Sequence, residues 1–196
     1  ILFAFISNFG NRVTKSKFLN FLTTFSVCGY AIPGVILAVA YISFVSWFDN
    51  NFISFFEIKS IKSIFIGSII GLVVVYFVRF YSLASNGIKS GYLKINYSID
   101  ESSYLLGYSK LKTFLNIHVP YLKNSVLLIG ILIAIEIIKE LPITLILRPF
   151  NFETFATQAY IFASQDLLEA AAAPSLFLII IASLFILTTY RYILKD

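Results

Sequence analysis

Four long stretches of the chain are almost wholly apolar, and polar segments separate them. They lie at 21–47, 63–80, 125–147 and 175–192, and the opening run 1–9 is typical of the end of a fifth. A helix needs about 20 apolar residues to cross a hydrocarbon core of about 30 Å. Continuous apolar runs without alternation favour helices over the strands of a barrel. The pattern therefore predicts an all-α, polytopic bundle with about five membrane spans.

Composition supports an integral membrane protein whose immediate partner is the lipid bilayer. The chain is 59 % hydrophobic and 13 % charged, whereas soluble domains are about half apolar and a quarter charged. It opens inside an apolar run, without a basic n-region or a cleavage site. We interpret residues 1–196 as one transmembrane domain that lacks its N-terminal part.

The distribution of charge predicts which polar segments face the cytoplasm. Five crossings place 10–20, 81–124 and the C-terminal tail on one side of the membrane, and 48–62 and 148–174 on the other. Most basic residues fall on the first side, namely Arg12, Lys15, Lys17, Lys89, Lys94, Lys110, Lys112, Lys123, Arg191 and Lys195, with Arg79 at its edge. The second side mixes both signs, with Lys59, Lys62 and Arg148 among Asp49, Glu57, Glu153, Asp166 and Glu169. Because basic loops stay inside, the first side is predicted to be cytoplasmic. The net charge of +5 then reflects topology, and we predict no nucleic-acid partner.

The residues that could carry metal or nucleophilic chemistry are few. Cys28 and His118 are each the single residue of their type, whereas a metal site needs three or four ligands. We interpret Cys28 as a small residue inside a span and His118 as a surface imidazole. The sequence therefore predicts no catalytic residue and no stable metal site.

The most polar segment, ESSYLLGYSKLKTFLNIHVP at 101–120, predicts a capped helical hairpin. Ser98 is a candidate N-cap with Glu101 at the third helical position, as in a capping box. Glycine permits a tight turn, serine caps helices well, and proline is tolerated where a helix begins. The predicted turn, second cap and start of the next span are Gly107, Ser109 and Pro120.

The spacing within this hairpin resembles the EAA loop of binding-protein-dependent ABC transporter permeases. That family has Glu-Ala-Ala, then Gly, then Ile-x-Leu-Pro at the same offsets. Ser102 and Ser103 replace the alanine pair, Val119 replaces the leucine, and the preceding segment 95–100 is also similar. The matching positions begin at Glu101 and continue through Gly107, Ile117 and Pro120.

This resemblance implies a type I importer permease and its partners. The segment 81–124 would be the cytoplasmic coupling loop, which docks on an ABC ATPase dimer, and ATP would bind to that dimer. This chain would therefore be no enzyme and bind no cofactor itself. Further implied partners are a second permease half, fused or separate, and a periplasmic or extracellular solute-binding protein. The implied location is the bacterial cytoplasmic (inner) membrane, as a multi-pass protein.

The family roles carry over to positions of the hairpin. Glu101 would fix the hairpin and Gly107 its turn. Tyr104, Leu105 and Tyr108 would offer apolar contact to the ATPase, or else form the core of the hairpin. The full set of implied coupling residues is Glu101, Ser102, Ser103, Tyr104, Leu105, Gly107, Ile117 and Pro120.

The segment GYAIPGVILAV at 29–39 is similar to the start of a core span in the same family. Pro33 removes one helical hydrogen bond, while Gly29 and Gly34 permit close helix approach. We predict a kinked, tightly packed span at Pro33 and Gly34. Direct contact with substrate is the alternative.

Three charges lie inside the span 125–147, at Glu136, Lys139 and Glu140. A charge at the centre of a span costs about 3 kcal/mol, so these side chains should face a cavity or one another. The two carboxylates are one helical turn apart, and Lys139 can pair with Glu136. They are therefore candidates either for a translocation pathway or for an internal ion pair.

The motif Lys139-Glu140-Leu141-Pro142, with its continuation at 147–152, resembles the ferric-iron subgroup of these permeases. This implies Fe(III) as cargo, and a hard cation suits carboxylate oxygens as a transient way-station. The pathway residues would be Glu136, Lys139, Glu140 and Pro142. Thiamine, phosphonate or another anion is an alternative cargo. A membrane enzyme with the two glutamates as acid and base, or a transport-inactive fragment, is an alternative class.

The segment 148–174 is too long for a plain turn. It predicts two helices at the outer surface, over 152–160 and 166–173, with Pro174 separating the second from the last span. This segment is a candidate docking surface for the solute-binding protein.

Overall fold

The computed structural model of the chain describes residues 1–14, 16–53 and 65–193. Every regular element in these ranges is helical, which confirms the all-α prediction. Predictions for Lys15, Glu57, Lys59, Lys62 and Lys195 lie outside the described residues. The helices are α1 Leu2–Thr14, α2 Lys17–Val27, α3 Gly34–Phe48, α4 Ile69–Tyr92, α5 Tyr97–Leu105, α6 Lys110–Thr113, α7 Val119–Ile138, α8 Pro142–Leu147, α9 Phe155–Ser164 and α10 Leu168–Ile193.

Three helices of the described residues are long and apolar enough to cross a membrane, in place of about five predicted spans. They are Ile69–Tyr92, Lys110–Ile138 and Leu168–Arg191. A fourth candidate is the pair Lys17–Tyr30 and Gly34–Asn51, which is bent by 115° at its break. The first helix has 13 residues and is about 20 Å long, short of a full hydrocarbon core.

The break predicted at Pro33 is present and sharper than a kink. Pro33 precedes α3 with an extended backbone (φ −54°, ψ 138°) and makes no side-chain cap. Proline lacks the N–H that would continue the preceding helix. The segment 21–47 is therefore two helices joined by a 3-10 turn at Cys28–Tyr30, and Cys28 is exposed.

The predicted boundaries of two other spans are wrong. The span predicted at 63–80 continues as α4 to Tyr92, and the span predicted at 125–147 begins at Lys110 and ends at Ile138. Pro120 lies inside this second helix because a π-helical turn at Phe114–His118 precedes it. There the Val119 N–H donates to the Phe114 carbonyl five residues earlier, and such a turn absorbs the missing hydrogen bond of the proline.

The segment 148–174, predicted to lie at the outer surface, contains one separate helix and not two. The first predicted helix is present as α9. The second, over 166–173, is the start of α10, which continues through Pro174 to the end of the last span. The Ser175 hydroxyl donates to the Ala171 carbonyl at 2.7 Å, a bond from a side chain back to the preceding turn of the helix.

The chain divides into two compact units. The first comprises Ile1–Tyr30 and Phe80–Ile133, and the second Ala31–Arg79 and Ala134–Asp196. In the first unit, α4 and α7 approach closely where two glycines are four residues apart. A Cβ at Gly87 would lie 2.6 Å from the Ile129 side chain, and one at Gly91 would lie 2.8 Å from Leu122. This is the small-xxx-small packing common between membrane helices.

The second unit has a small apolar core of α3, α4 and α8 side chains. Its buried members are Ala38, Leu72, Val75, Ile143 and Leu147. On α9 and α10, the rings of Phe155 and Phe177 stack with centroids 5.5 Å apart. Many large apolar side chains of α10 remain exposed, such as Ile179 at 66 %, as expected for a helix surrounded by lipid.

Candidate coupling hairpin

The hairpin predicted over 101–120 is present as α5 and α6. Asn96 is the N-cap of α5, and its side chain accepts a hydrogen bond from the Ser98 N–H at 3.3 Å. The capping box predicted at Ser98 and Glu101 is therefore wrong, because the helix begins earlier. Ser109 caps α6 as predicted, since its hydroxyl accepts from the Lys112 N–H at 3.3 Å.

Gly107 makes the turn between the two helices, as predicted. Its φ of 81° lies in the left-handed region, where a residue with a Cβ is strained. The Gly107 N–H donates to the Tyr104 carbonyl at 3.0 Å, and the Tyr108 N–H donates to the Ser103 carbonyl at 3.1 Å. These two bonds form a Schellman motif, which satisfies the last carbonyls of α5.

A buried pair of hydroxyls holds the two hairpin helices together. The oxygens of Ser103 and Thr113 are 2.6 Å apart, and both side chains are buried. Glu101, for which the resemblance implies this role, is exposed and makes no hydrogen bond or ion pair with the described residues. The tie between the helices therefore comes from the second serine of the motif.

Arg12 of α1 binds the start of the hairpin and the end of α4. Its Nε donates to Oδ2 of Asp100 at 2.7 Å, and both side chains are almost buried, with 6 % and 10 % exposed. Its two other nitrogens donate to the carbonyls of Tyr92 at 3.2 Å, Ile95 at 2.9 Å and Asn96 at 3.1 Å. One guanidinium thus links the last turn of α4 to the start of α5, where the Tyr92 and Asn96 carbonyls also accept backbone N–H groups.

His118 completes this buried polar cluster from the π-helical turn. Its Nε2 lies 2.8 Å from Oδ1 of Asp100, a contact that is short but not aligned as a hydrogen bond. The imidazole is fully buried between the rings of Phe9 and Tyr92, with centroids 5.2 and 5.4 Å away. The interpretation of His118 as a surface residue is therefore wrong. Nothing in the local sequence pairs it with Arg12 and Asp100.

The outer side of the hairpin is apolar. Leu105 and Leu106 beside the turn are 89 % and 79 % exposed, and Leu111 of α6 is 66 % exposed. Tyr104 is 39 % exposed. Desolvation, followed by the Asp100 carboxylate, raises the pKa of its hydroxyl, so this side chain is a neutral phenol.

The remaining predicted coupling residues differ in exposure. Tyr108 is half-buried and lies under the Lys112 ammonium, 4.6 Å from its ring centroid. Ser102 and Pro120 are exposed, and Ile117 is half-buried in the helix that leads to α7.

The charges predicted for a pathway separate into two pairs in the second unit. The Glu136 carboxylate lies 2.6 Å from the Lys139 ammonium, as predicted, in a pair whose lysine is 59 % exposed. Because α7 ends at Ile138, Glu140 does not share a helical face with Glu136. It is buried and pairs with Arg79, with Oε2 3.5 Å from Nε.

Glu140 also organises the break between α7 and α8. Its Oε1 accepts from the Ile143 N–H at 3.3 Å, and its carbonyl accepts from the Thr144 hydroxyl at 2.8 Å. Pro142 is the first residue of α8. A Cβ at Gly34 would come within 3.0 Å of both the Arg79 and the Glu140 side chains, so Gly34 leaves room for this ion pair.

Metal-ligating side chains are scattered in the part of the chain that the structure describes. No three or more His, Cys, Asp or Glu side chains come close enough there to hold a metal ion. Comparison with known proteins adds no assignment: no protein-family model matches the chain, and neither does any curated protein.

Proposed function

We propose that this chain is a transmembrane permease subunit of an ATP-driven ABC importer, coupled to a cytoplasmic ATPase through residues 101–120. The observation that carries the proposal is the hairpin itself. It combines a turn that requires glycine, an interior held by buried polar contacts, and an exposed apolar surface at Leu105, Leu106 and Leu111. Exposed leucines on a rigid support suit insertion into an apolar groove of a partner.

The connection from hairpin to membrane supports the same proposal. The second hairpin helix, the π-helical turn and α7 are one helix, Lys110–Ile138. A displacement of the hairpin therefore reaches the membrane span without a flexible loop in between. The Arg12–Asp100 pair also ties the hairpin to α1, so two helices would follow its movement.

Ferric iron is the proposed cargo, on the resemblance at 139–142 and the chemistry of the carboxylates. Glu140 is buried against Arg79, whereas Glu136 is part of a more exposed pair. Glu136 is therefore the better candidate for transient contact with a hard cation, which prefers oxygen ligands. Glu140 fits the alternative role, that of an internal ion pair that stabilises the fold.

The turn provides the test of coupling. Gly107→Val should abolish Fe(III) uptake and ATPase co-purification, because valine is strained at this φ and changes the direction of the turn. Uptake in cells and the amount of protein in membranes are the measurements. Gly67→Val is the matched control, since Gly67 has a φ of 66°, and neither glycine has a neighbour within 4 Å of the position that a Cβ would take. Normal uptake by the Gly107 variant would contradict the assignment.

The contact of Arg12 with Asp100 supports a topology in which the end of α1 and the hairpin lie on the same side of the membrane. If α4 crosses, Ile69 lies on the opposite side from Tyr92. The chain between Thr14 and Ile69 would then cross as well, and we propose that the bent pair of α2 and α3 makes this crossing as one broken span.

This topology predicts opposite labelling of two exposed serines. In intact cells, Ser102→Cys should resist an impermeant thiol reagent, and Ser164→Cys should react with it. Both side chains are exposed, so accessibility of the residue itself does not decide the result, and Cys28→Ala removes the native thiol from both variants. Reaction of the first and protection of the second would invert the orientation.

A further inference from the structure

The first unit contains a polar cavity that the coupling function does not use. Its volume is about 620 Å³, and it lies between α1, α2 and the last turns of α4. Amide, hydroxyl and ammonium groups from these helices and the turn after α4 line it, among them Asn11, Asn20, Thr23, Asn86, Lys89 and Lys94. A cavity of this size and polarity can hold a head group.

The cavity has an excess of positive charge. Lys89 and Lys94 line it, and no carboxylate is among its lining residues. Neither lysine is among the ion pairs formed by the described part of the chain. Arg12 also reaches the cavity, but its charge is opposed by Asp100. The two lysines therefore favour an anionic ligand.

Asn11 supplies an unused acceptor beside these cations. Its amide nitrogen donates to the Thr23 hydroxyl at 2.8 Å, whereas its Oδ1 is buried without a hydrogen-bond partner in the described residues. A buried acceptor of this kind calls for a donor, such as a hydroxyl of the ligand. The ligand chemistry is thus an anion that also carries hydroxyl groups.

The surroundings of the cavity favour a lipid over a free anion. On the other face of α2, Phe18, Phe21 and Phe25 are each at least 65 % exposed. Leu93, which lines the cavity, is 81 % exposed. Apolar side chains next to a polar, basic cavity are typical of the membrane interface, where acyl chains contact the former and head groups the latter.

We propose that this cavity binds the head group of an anionic phospholipid, with the phosphate on Lys89 and Lys94 and a head-group hydroxyl on Asn11. Phosphatidylglycerol has both groups and is the probe of choice. The proposal requires a chain embedded in lipid and is independent of cargo and of the ATPase.

Native mass spectrometry of the purified full chain, titrated with phosphatidylglycerol or phosphatidylcholine, tests the proposal. The double variant K89Q/K94Q should bind phosphatidylglycerol about 30-fold more weakly. Each lysine near the membrane surface contributes about fivefold to the affinity for an anionic lipid, and the two contributions multiply. The double variant K110Q/K123Q removes two exposed lysines outside the cavity and should stay within about twofold of the original chain. Phosphatidylcholine should show little dependence on either change.

Two results would overturn the site. One is unchanged phosphatidylglycerol binding by K89Q/K94Q, and the other is an equal loss in K110Q/K123Q, which would indicate diffuse attraction. A competition experiment on the unmodified chain distinguishes a site for the lipid head group from a site for free phosphate. Inorganic phosphate in the millimolar range should fail to displace the lipid, and full displacement would show a phosphate site in place of a lipid site.

Discussion

Replacement of Arg12 by alanine should lower the free energy of unfolding by about 3–5 kcal/mol, the usual cost of breaking a buried ion pair. Asp100 would lose its guanidinium partner in a site where its side chain is 10 % exposed. The carbonyls of Tyr92, Ile95 and Asn96 would each lose the hydrogen bond from the guanidinium as well. Thermal unfolding of the purified chain and its abundance in membranes are the measurements. We expect the start of the hairpin to lose its fixed position first, since Arg12 ties it to α1 through Asp100.

The exposed pair of Arg148 and Glu153 is the matched control. Its atoms are 2.9 Å apart, nearly as close as those of Arg12 and Asp100, but its side chains are 24 % and 43 % exposed. Arg148→Ala should therefore cost about 1 kcal/mol or less. An equal loss in the free energy of unfolding in the two variants would show that burial does not make the Arg12–Asp100 pair more stabilising than an exposed pair.

Single substitutions of the two glutamates should have opposite consequences. Glu140→Gln removes the carboxylate that pairs with Arg79 in the second unit, and breaking such a pair costs about 3–5 kcal/mol. The amount of protein in the membrane should then fall strongly. Glu136→Gln changes a more exposed pair, so abundance should stay near normal, while Fe(III) uptake falls if Glu136 contacts the cargo.

Abundance and uptake must therefore be measured together for both variants, with uptake expressed per molecule of protein. Normal abundance of the Glu140 variant would contradict its structural role. Normal uptake by an abundant Glu136 variant would remove the proposed way-station and, with it, the chemical support for iron as the cargo.

The features that the sequence predicts correctly depend on residues close together in the chain. The left-handed turn at Gly107 and the cap at Ser109 follow from what glycine and serine do locally. The break at Pro33 follows from a missing N–H, and the pair of Glu136 and Lys139 from helical spacing. Each of these features needs only a few neighbouring residues to form.

The features that sequence reasoning misses depend on long-range contacts or on small irregularities of a helix. Arg12 and Asp100 are 88 positions apart. The excess of basic residues expected on the cytoplasmic side already accounts for Arg12, so the sequence gives no reason to pair it with Asp100. Helical spacing predicts a shared face for Glu136 and Glu140, because the end of α7 at Ile138 has no strong signal in the sequence. The π-helical turn before Pro120 escapes prediction for a similar reason, since periodic patterns do not show where one extra residue enters a turn.

The single helix Lys110–Ile138 has a mechanical consequence. Its 29 residues give a stiff arm about 43 Å long, and a tilt of about 10° at one end moves the other by roughly 7 Å. The π-helical turn at Phe114–His118 and Pro120 lie near its hairpin end, and regular α-helix continues from there to Ile138. A small change of angle at the hairpin would therefore be enlarged along this helix towards its end at Ile138.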